Sequence, residues 1–354
     1  MNNPVSQYYQ DFINTPTETI YYKNATELLS KFKGHIQAFP NKNITFITNE
    51  IETLSNFNLN INLITASNII INLVLNLSLK GSSTIQLTGS NYSIQNLSIS
   101  GGDKTKKFGK HIVQISAPLI KLVNFSMTDY QVKDDDLDYI RVSSKNFELH
   151  NSLIQDKVCN GVFLRLDFPE NHIIKQCVFK NFKKPSNSNG GEMVRCATSQ
   201  FEKSKAYCSI DRCYFEKCDG DPEIVSIKCS NITVRNCIFK QNQGRLVLRH
   251  THNCIIENNY FSENGVRAYG TNHRFIKNQL DNNANLLLDN KKGSSYVPIK
   301  DCFVDGLYYT DNVKNPLTDN GINTNVKNII KGLIIPEKSL LNSGSTPTHS
   351  NLRG

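Results

Sequence analysis

One short phrase recurs along this chain, and its spacing restricts the fold more than any other property. It reads Ile94-Gln95-Asn96-Leu97-Ser98-Ile99 and returns, with variation, as 122–127, 149–154, 174–179, 210–215, 234–239 and 256–261. The last residues of successive phrases lie 28, 27, 25, 36, 24 and 22 positions apart. A period in the twenties is that of one coil of a parallel β-helix, in which three short strands and three turns bring the chain back above its starting point. Alternation within a phrase puts Cys237 and Phe239 on one strand face, read here as interior, so equivalent residues stack at about 4.8 Å per coil as ladders of Cys and Phe. Asparagine suits the corners, because it tolerates the left-handed backbone conformation and its amides ladder from coil to coil. A β-sandwich would need many hairpin turns, and the Asn-Gly pairs at 160–161 and 189–190 are too few to supply them.

The expected architecture is all-β: one single-stranded right-handed parallel β-helix (a solenoid) over residues 35–290. Residues 1–34 form an N-terminal segment, and 291–354 a remnant coil and a mobile tail. Within the first segment, residues 25–32 follow Asn24 as a short amphipathic capping helix, which would cover the unpaired strand edge at the open end of the solenoid. The 36-residue interval marks an insertion in one coil, with the polar stretch 196–207 expected as a loop.

The balance of 40 Lys and Arg against 31 Asp and Glu gives +9, which favours an anionic partner without choosing among nucleic acid, acidic membrane and acidic polysaccharide. The most apolar run, 69–79, is broken by Asn72 and Asn76, so no membrane-spanning helix is expected. The first twelve residues contain no basic segment followed by an apolar core, so no secretory signal is visible in them. The ten cysteines lie between Cys159 and Cys302; several recur at one point of the phrase, and they read first as stacked interior thiols, with disulfides the competing reading. No pair of CxxC units points to zinc.

Three segments carry chemistry: Asn189-Gly190-Gly191-Glu192-Met193-Val194-Arg195, then Asp221-Pro222-Glu223 running on to Lys228, then Gln243-Gly244-Arg245 running on to Arg249-His250. Lys228 and Arg249 are 21 residues apart, about one coil, which sets two cations side by side. Asp221 and Glu223 are hard oxygen donors of the kind calcium prefers, although an arbitrary Asp-x-Glu is more often a solvated strand edge. Glu192 and Arg195 are spaced to pair as structural support. Arg267 lies 18 residues beyond Arg249 and is a candidate for a second carboxylate or a sulfate on the substrate; His250, next to Arg249, is a supporting residue on the substrate side.

Together these motifs resemble the signature of polysaccharide lyase family 6, the chondroitinase B-like and alginate lyase group, clearly over about residues 151–278. The resemblance implies calcium-assisted β-elimination of a uronate-containing polysaccharide, with Lys228 as base and Arg249 as its cationic partner. It implies calcium ligation by Asn189, Asp221 and Glu223; many relatives carry Glu where this chain has Asp221. Alginate is favoured over chondroitin or dermatan sulfate, the partner is an acidic polysaccharide rather than nucleic acid or membrane, and the protein is expected to be a monomer. An extracellular or periplasmic location follows from the resemblance alone. Two further readings stay open: a non-catalytic β-helical carbohydrate-binding or adhesin-like protein, and another β-helix enzyme such as a uronan epimerase or a glycoside hydrolase. A hydrolase would need two carboxylates flanking the bond.

Overall fold

The computed structural model describes residues 17–24, 26–28, 30–31, 34, 43–55, 58–80, 83–103, 110–132, 137–183, 190–291 and 296–332. Every strand pairing among them is parallel, and the chain forms one β-solenoid of about 10 turns. Each complete coil supplies one strand to each of three walls. Leu153–Lys157, Val178–Phe182, Tyr214–Cys218, Ile238–Lys240 and Tyr260–Phe261 stack as wall one. Wall two is Asp138–Val142, Leu164–Leu166, Val194–Cys196, Glu223–Ile227, Arg245–Leu248, Gly265–Ala268 and Asn285–Leu288. Glu148–His150, Ile173–Lys175, Ser209–Asp211, Thr233–Arg235, Ile255–Glu257 and Arg274–Ile276 make wall three.

The recurring phrase is not a single strand, as simple alternation suggests. It is a corner: in Val234–Phe239 the chain leaves wall three at Arg235, turns at Asn236, and enters wall one at Ile238. Asn236 sits at φ 55°, and the same phrase position has φ 60° at Asn96, 50° at Asn124, 49° at Asn151 and 53° at Asn258. That region is costly for most L-residues and cheapest for Gly and Asn, which explains why asparagine recurs there. Its amide also links coils, Asn258 Nδ2 donating to Asn236 Oδ1 at 2.8 Å and Asn124 Nδ2 to Asn96 Oδ1 at 3.1 Å.

Inside the corner the two ladders form as alternation requires. Phe179, Phe215, Phe239 and Phe261 stack with ring centroids 5.1, 4.7 and 4.7 Å apart. Cys177, Cys213 and Cys237 stack beside them, the Cys213 N–H lying 3.4 Å from Cys237 Sγ. All ten cysteines are free and buried. Where the thiol column ends, Asn259 and Asn278 take over as buried amides, each donating to a backbone carbonyl of the preceding coil.

At the N-terminal end, residues 26–28, 30–31 and 34 are helical, the Glu27 N–H is capped by Asn24 Oδ1 at 2.9 Å, and Leu28 is buried in the core. The ladder starts before residue 35, with Thr17–Tyr22 paired to Asn43–Ser55, and runs past residue 290 through Phe303–Tyr309 to Asn325–Lys331. The tail from 333 onward lies outside the described residues. The insertion leaves wall two after Cys196 and rejoins wall three at Ser209, irregular except for the 3-10 turn Ser199–Phe201 and a single parallel bridge from Lys205 to Ser230.

Candidate active site

The outer face of wall two gathers the candidate residues, and the ladder register says which of them are neighbours. Val247 pairs with Arg267, and Ile227 with Leu248, so Lys228 and Arg249, which follow the latter pair, occupy adjacent rungs. Plain alternation would set Glu223 and Lys228 on opposite faces, because they are five residues apart. A register shift between Glu223 and Val225 inserts one residue, buries Ile224, and turns Glu223, Ser226 and Lys228 to the same outer side. Ser226 Oγ then donates to Glu223 Oε2 at 2.5 Å, and Arg249 Nη1 to Glu223 Oε1 at 3.1 Å.

On the other side of Lys228, Glu192 receives Arg195 Nε at 2.9 Å and Nη2 at 2.6 Å and lies 3.9 Å from Lys228 Nζ. Burial pushes the Glu192 carboxyl up, but the Arg195 pair outweighs it and holds the group below the usual carboxylate range. For Lys228 burial is the leading effect and lowers its pKa; Arg195 and Arg249 act in the same direction, and Glu192 and Glu223 oppose it. A lysine so placed has a larger neutral fraction than one in water. Arg249 lies over the Tyr296 ring at 5.4 Å, and its buried Nε has no hydrogen-bond partner among the described residues.

Asp221 precedes the strand and is turned back toward the first motif. Its Oδ2 accepts the Gly190 N–H at 3.2 Å and the Gly191 N–H at 3.5 Å, while Oδ1 accepts the Glu223 N–H at 3.0 Å. The approach needs glycine on both sides: a Cβ on Gly191 would meet the Gly220 carbonyl at 2.3 Å. Asn189 itself lies outside the described residues. Among the described residues no group of three or more His, Cys, Asp and Glu side chains is arranged to hold a metal.

Arg267 is on the next rung beyond Val247 and gives Nε and Nη2 to Asp289 Oδ2 at 3.0 and 2.7 Å; Tyr269 adds its hydroxyl to the same oxygen at 2.8 Å. His250 is 6% exposed and faces the insertion, with Nδ1 3.6 Å from Glu202 Oε2, while His252 Nε2 holds the other Glu202 oxygen at 3.1 Å. It therefore braces the insertion behind Arg249. Ser226, Arg245, Tyr269 and Tyr296 also border the site; the signal for the first three was their strand register with Lys228, Arg249 and Arg267, which motif spacing alone does not give.

A family model of chondroitinase B matches residues 68–297, roughly two thirds of the sequence. The chain belongs to the chondroitinase B family. It is accordingly a polysaccharide lyase. A mannuronic acid specific polysaccharide family 6 lyase from human gut microbiota superposes with TM-score 0.67 at 14% identity, covering 92% of this chain and 84% of that one. A PL6 alginate lyase in complex with a trisaccharide gives 0.64 at 12% identity, over 92% and 87%. A PL6 family polysaccharide lyase from Pseudopedobacter saltans gives 0.63 at 16%, over 90% and 93%. At such identities the superpositions speak for the shared β-helix. No curated protein matches the sequence.

Proposed function

We propose that this lyase cleaves a uronate-containing polysaccharide, alginate by preference, by calcium-assisted β-elimination at the outer face of wall two. The observation that carries this reading is the pair Lys228 and Arg249 on adjacent rungs, set between Glu192 and Glu223 on one outer wall. The alginate lyase and the mannuronic acid specific lyase among the structural neighbours support the substrate preference.

Lys228 takes the proton from C5 of the uronate sugar; that electron pair becomes the C4=C5 double bond, and the C4–O bond breaks with its electrons leaving on the glycosidic oxygen. Burial favours the neutral amine this step needs. The Arg249 guanidinium stabilises the negative charge that develops on substrate oxygens. The departing oxygen gains its proton from water or a neighbouring donor. Glu192 and Arg195 hold the approach to Lys228 in place.

The donor types suit a calcium ion: Asn189, Asp221 and Glu223 all offer oxygen, and the Gly190 N–H on Asp221 Oδ2 brings the loop that follows Asn189 up to Asp221. Asn189, Asp221 and Glu223 would hold the ion, which when bound neutralises the uronate carboxylate and so acidifies the adjacent C–H. An extracellular or periplasmic location belongs to the same proposal, and cell fractionation tests it.

The decisive assay is the appearance of ultraviolet-absorbing unsaturated ends from alginate, and from dermatan sulfate, with calcium and with a chelator. Lys228→Ala should abolish it while the circular dichroism stays unchanged. Retained turnover would refute the base assignment, and absence of unsaturated ends on every uronate polymer would refute the substrate class.

A further inference from the structure

The face of wall two that carries Arg249 holds a second guanidinium that the reaction above does not use. Arg245, Val247 and Arg249 alternate along one strand and its end, so the two arginines share a face with roughly 13 Å of backbone between them. They also diverge. Arg249 reaches back one rung to Glu223, whereas Arg245 reaches forward two rungs, giving Nη1 to Asn285 Oδ1 at 2.7 Å. The intervening residue is Gly265, at φ 81°, where a Cβ would strike the Asn285 carbonyl at 2.3 Å; the missing side chain leaves the trough that Arg245 crosses.

The charge balance of the two pocket arginines differs. Arg267 is matched by Asp289, but among the described residues Arg245 has no carboxylate partner, only the neutral amide of Asn285. Between them lies a cavity of about 160 Å³ with Glu223, Val247, Tyr269 and Tyr296 among its lining residues. The Tyr269 and Tyr296 rings pack with centroids 4.6 Å apart, and the Glu223 charge is shared by Ser226 and Arg249. The volume is below the roughly 300–1,000 Å³ of a pocket for a drug-sized ligand, so it takes one group rather than a length of polymer.

We propose that this cavity recognises an anionic group on a sugar neighbouring the one that reacts at Lys228, and that Arg245 is the residue that binds it. The proposal rests on the lyase reading for the identity of the polymer. It does not rest on it for the anion, which follows from a half-buried cation with a neutral partner beside aromatic rings.

The test separates binding from turnover. In Lys228→Ala protein, a saturated tetra-uronate from alginate and a dermatan sulfate tetrasaccharide are titrated by calorimetry with and without Arg245→Gln. We expect Kd for at least one of them to rise on the order of tenfold to a hundredfold, the loss of one charge-assisted hydrogen bond to an anion. Sensitivity of both identifies a carboxylate as the bound group, and of the sulfated sugar alone a sulfate. In protein with Lys228 intact, Arg245→Gln should raise KM and leave kcat within about threefold. Asn285→Asp gives a second, fold-preserving test: it supplies Arg245 with a carboxylate partner, so it should weaken whichever sugar Arg245→Gln weakens while keeping or raising Tm. Unchanged Kd for both sugars in either variant overturns the proposal. If the unmodified protein makes no unsaturated ends, the lyase chemistry fails on its own, and the calorimetry still decides the role of Arg245.

Discussion

Removing the carboxylate of Glu192 tests how the site controls its own base. Glu192 is buried, with 5% of its side chain exposed, and takes both hydrogen bonds of the Arg195 fork; Lys228 Nζ stands 3.9 Å away. In Glu192→Ala the Arg195 guanidinium, 18% exposed, and the Lys228 amine, 14% exposed, would lose the carboxylate between them and keep only the weaker influence of Asp138 and Asp221 on Arg195 and of Glu223 on Lys228. Breaking a buried pair in this way costs about 3–5 kcal/mol when the remaining charge is fully enclosed, and the partial exposure of Arg195 puts the expectation at about 3 kcal/mol. For a chain of this length that is a fall in Tm of about 4 °C. Glu192→Gln keeps the acceptor oxygen and the volume, so it should lose about half as much. The pH profile gives the more searching test. The Glu192 charge raises the Lys228 pKa against burial, so removing it lowers that pKa further. A general base works above its pKa; the acid limb of kcat/KM should therefore move to lower pH in Glu192→Gln. A limb that stays in place or moves upward, with Tm reduced as expected, would reduce Glu192 to a structural strut and refute the electrostatic reasoning.

The interior makes two predictions of its own. Phe239 is 1% exposed and stacked 4.7 Å from a ring on each side, so Phe239→Ala should cost about 4 kcal/mol, measured by urea unfolding, and a loss below about 1 kcal/mol would mean that the ladder closes over the gap. His273 is neutral in the fold: Nδ1 accepts the Cys254 N–H, Nε2 donates to the Tyr269 carbonyl, and burial depresses its pKa to about 4 from the ordinary 6.5. Its neutral form is fully favoured above pH 6.5 and that advantage is lost as pH falls toward 4, a loss of about 3 kcal/mol, so the stability gap between the unmodified protein and His273→Gln should narrow across that window; a constant gap would contradict the assignment.

The repeat was legible because each coil must satisfy the same three constraints: an apolar residue inside, a residue tolerant of positive φ at the corner, and a strand partner one period away. Asn96, Asn124, Asn236 and Asn258 meet the corner constraint and display the period. Three short strands and their corners were harder to separate, since Asn236 reads as a mid-strand residue until its backbone is seen to turn. In the site, Lys228, Arg249, Glu192 and Arg195 announced themselves through spacing and motif. Arg245, Tyr269 and Tyr296 did not, because an arginine or tyrosine on an outer strand face carries no signal until the register shows which rungs lie on either side.

The bulge at Ile224 explains why the site could not be derived from alternation. Between Glu223 and Lys228 lie four residues, an even number, and a regular strand would send the two side chains to opposite faces. One of them would then lie among the apolar side chains of the core, where an unpaired charge costs several kcal/mol. Seating Ile224 inside, 2% exposed, as an extra residue removes that conflict and places the carboxylate that holds Arg249 on the same side as the amine that Arg249 flanks. Inserting a residue beside Ile224 should thus do more damage than truncating it. Truncation to Ala leaves the parity intact and loses only packing, whereas one more residue inserted beside Ile224 reverses the parity and forces either Glu223 or Lys228 inward. The geometry of the site thus depends on a residue count that neither its chemistry nor its hydropathy reveals.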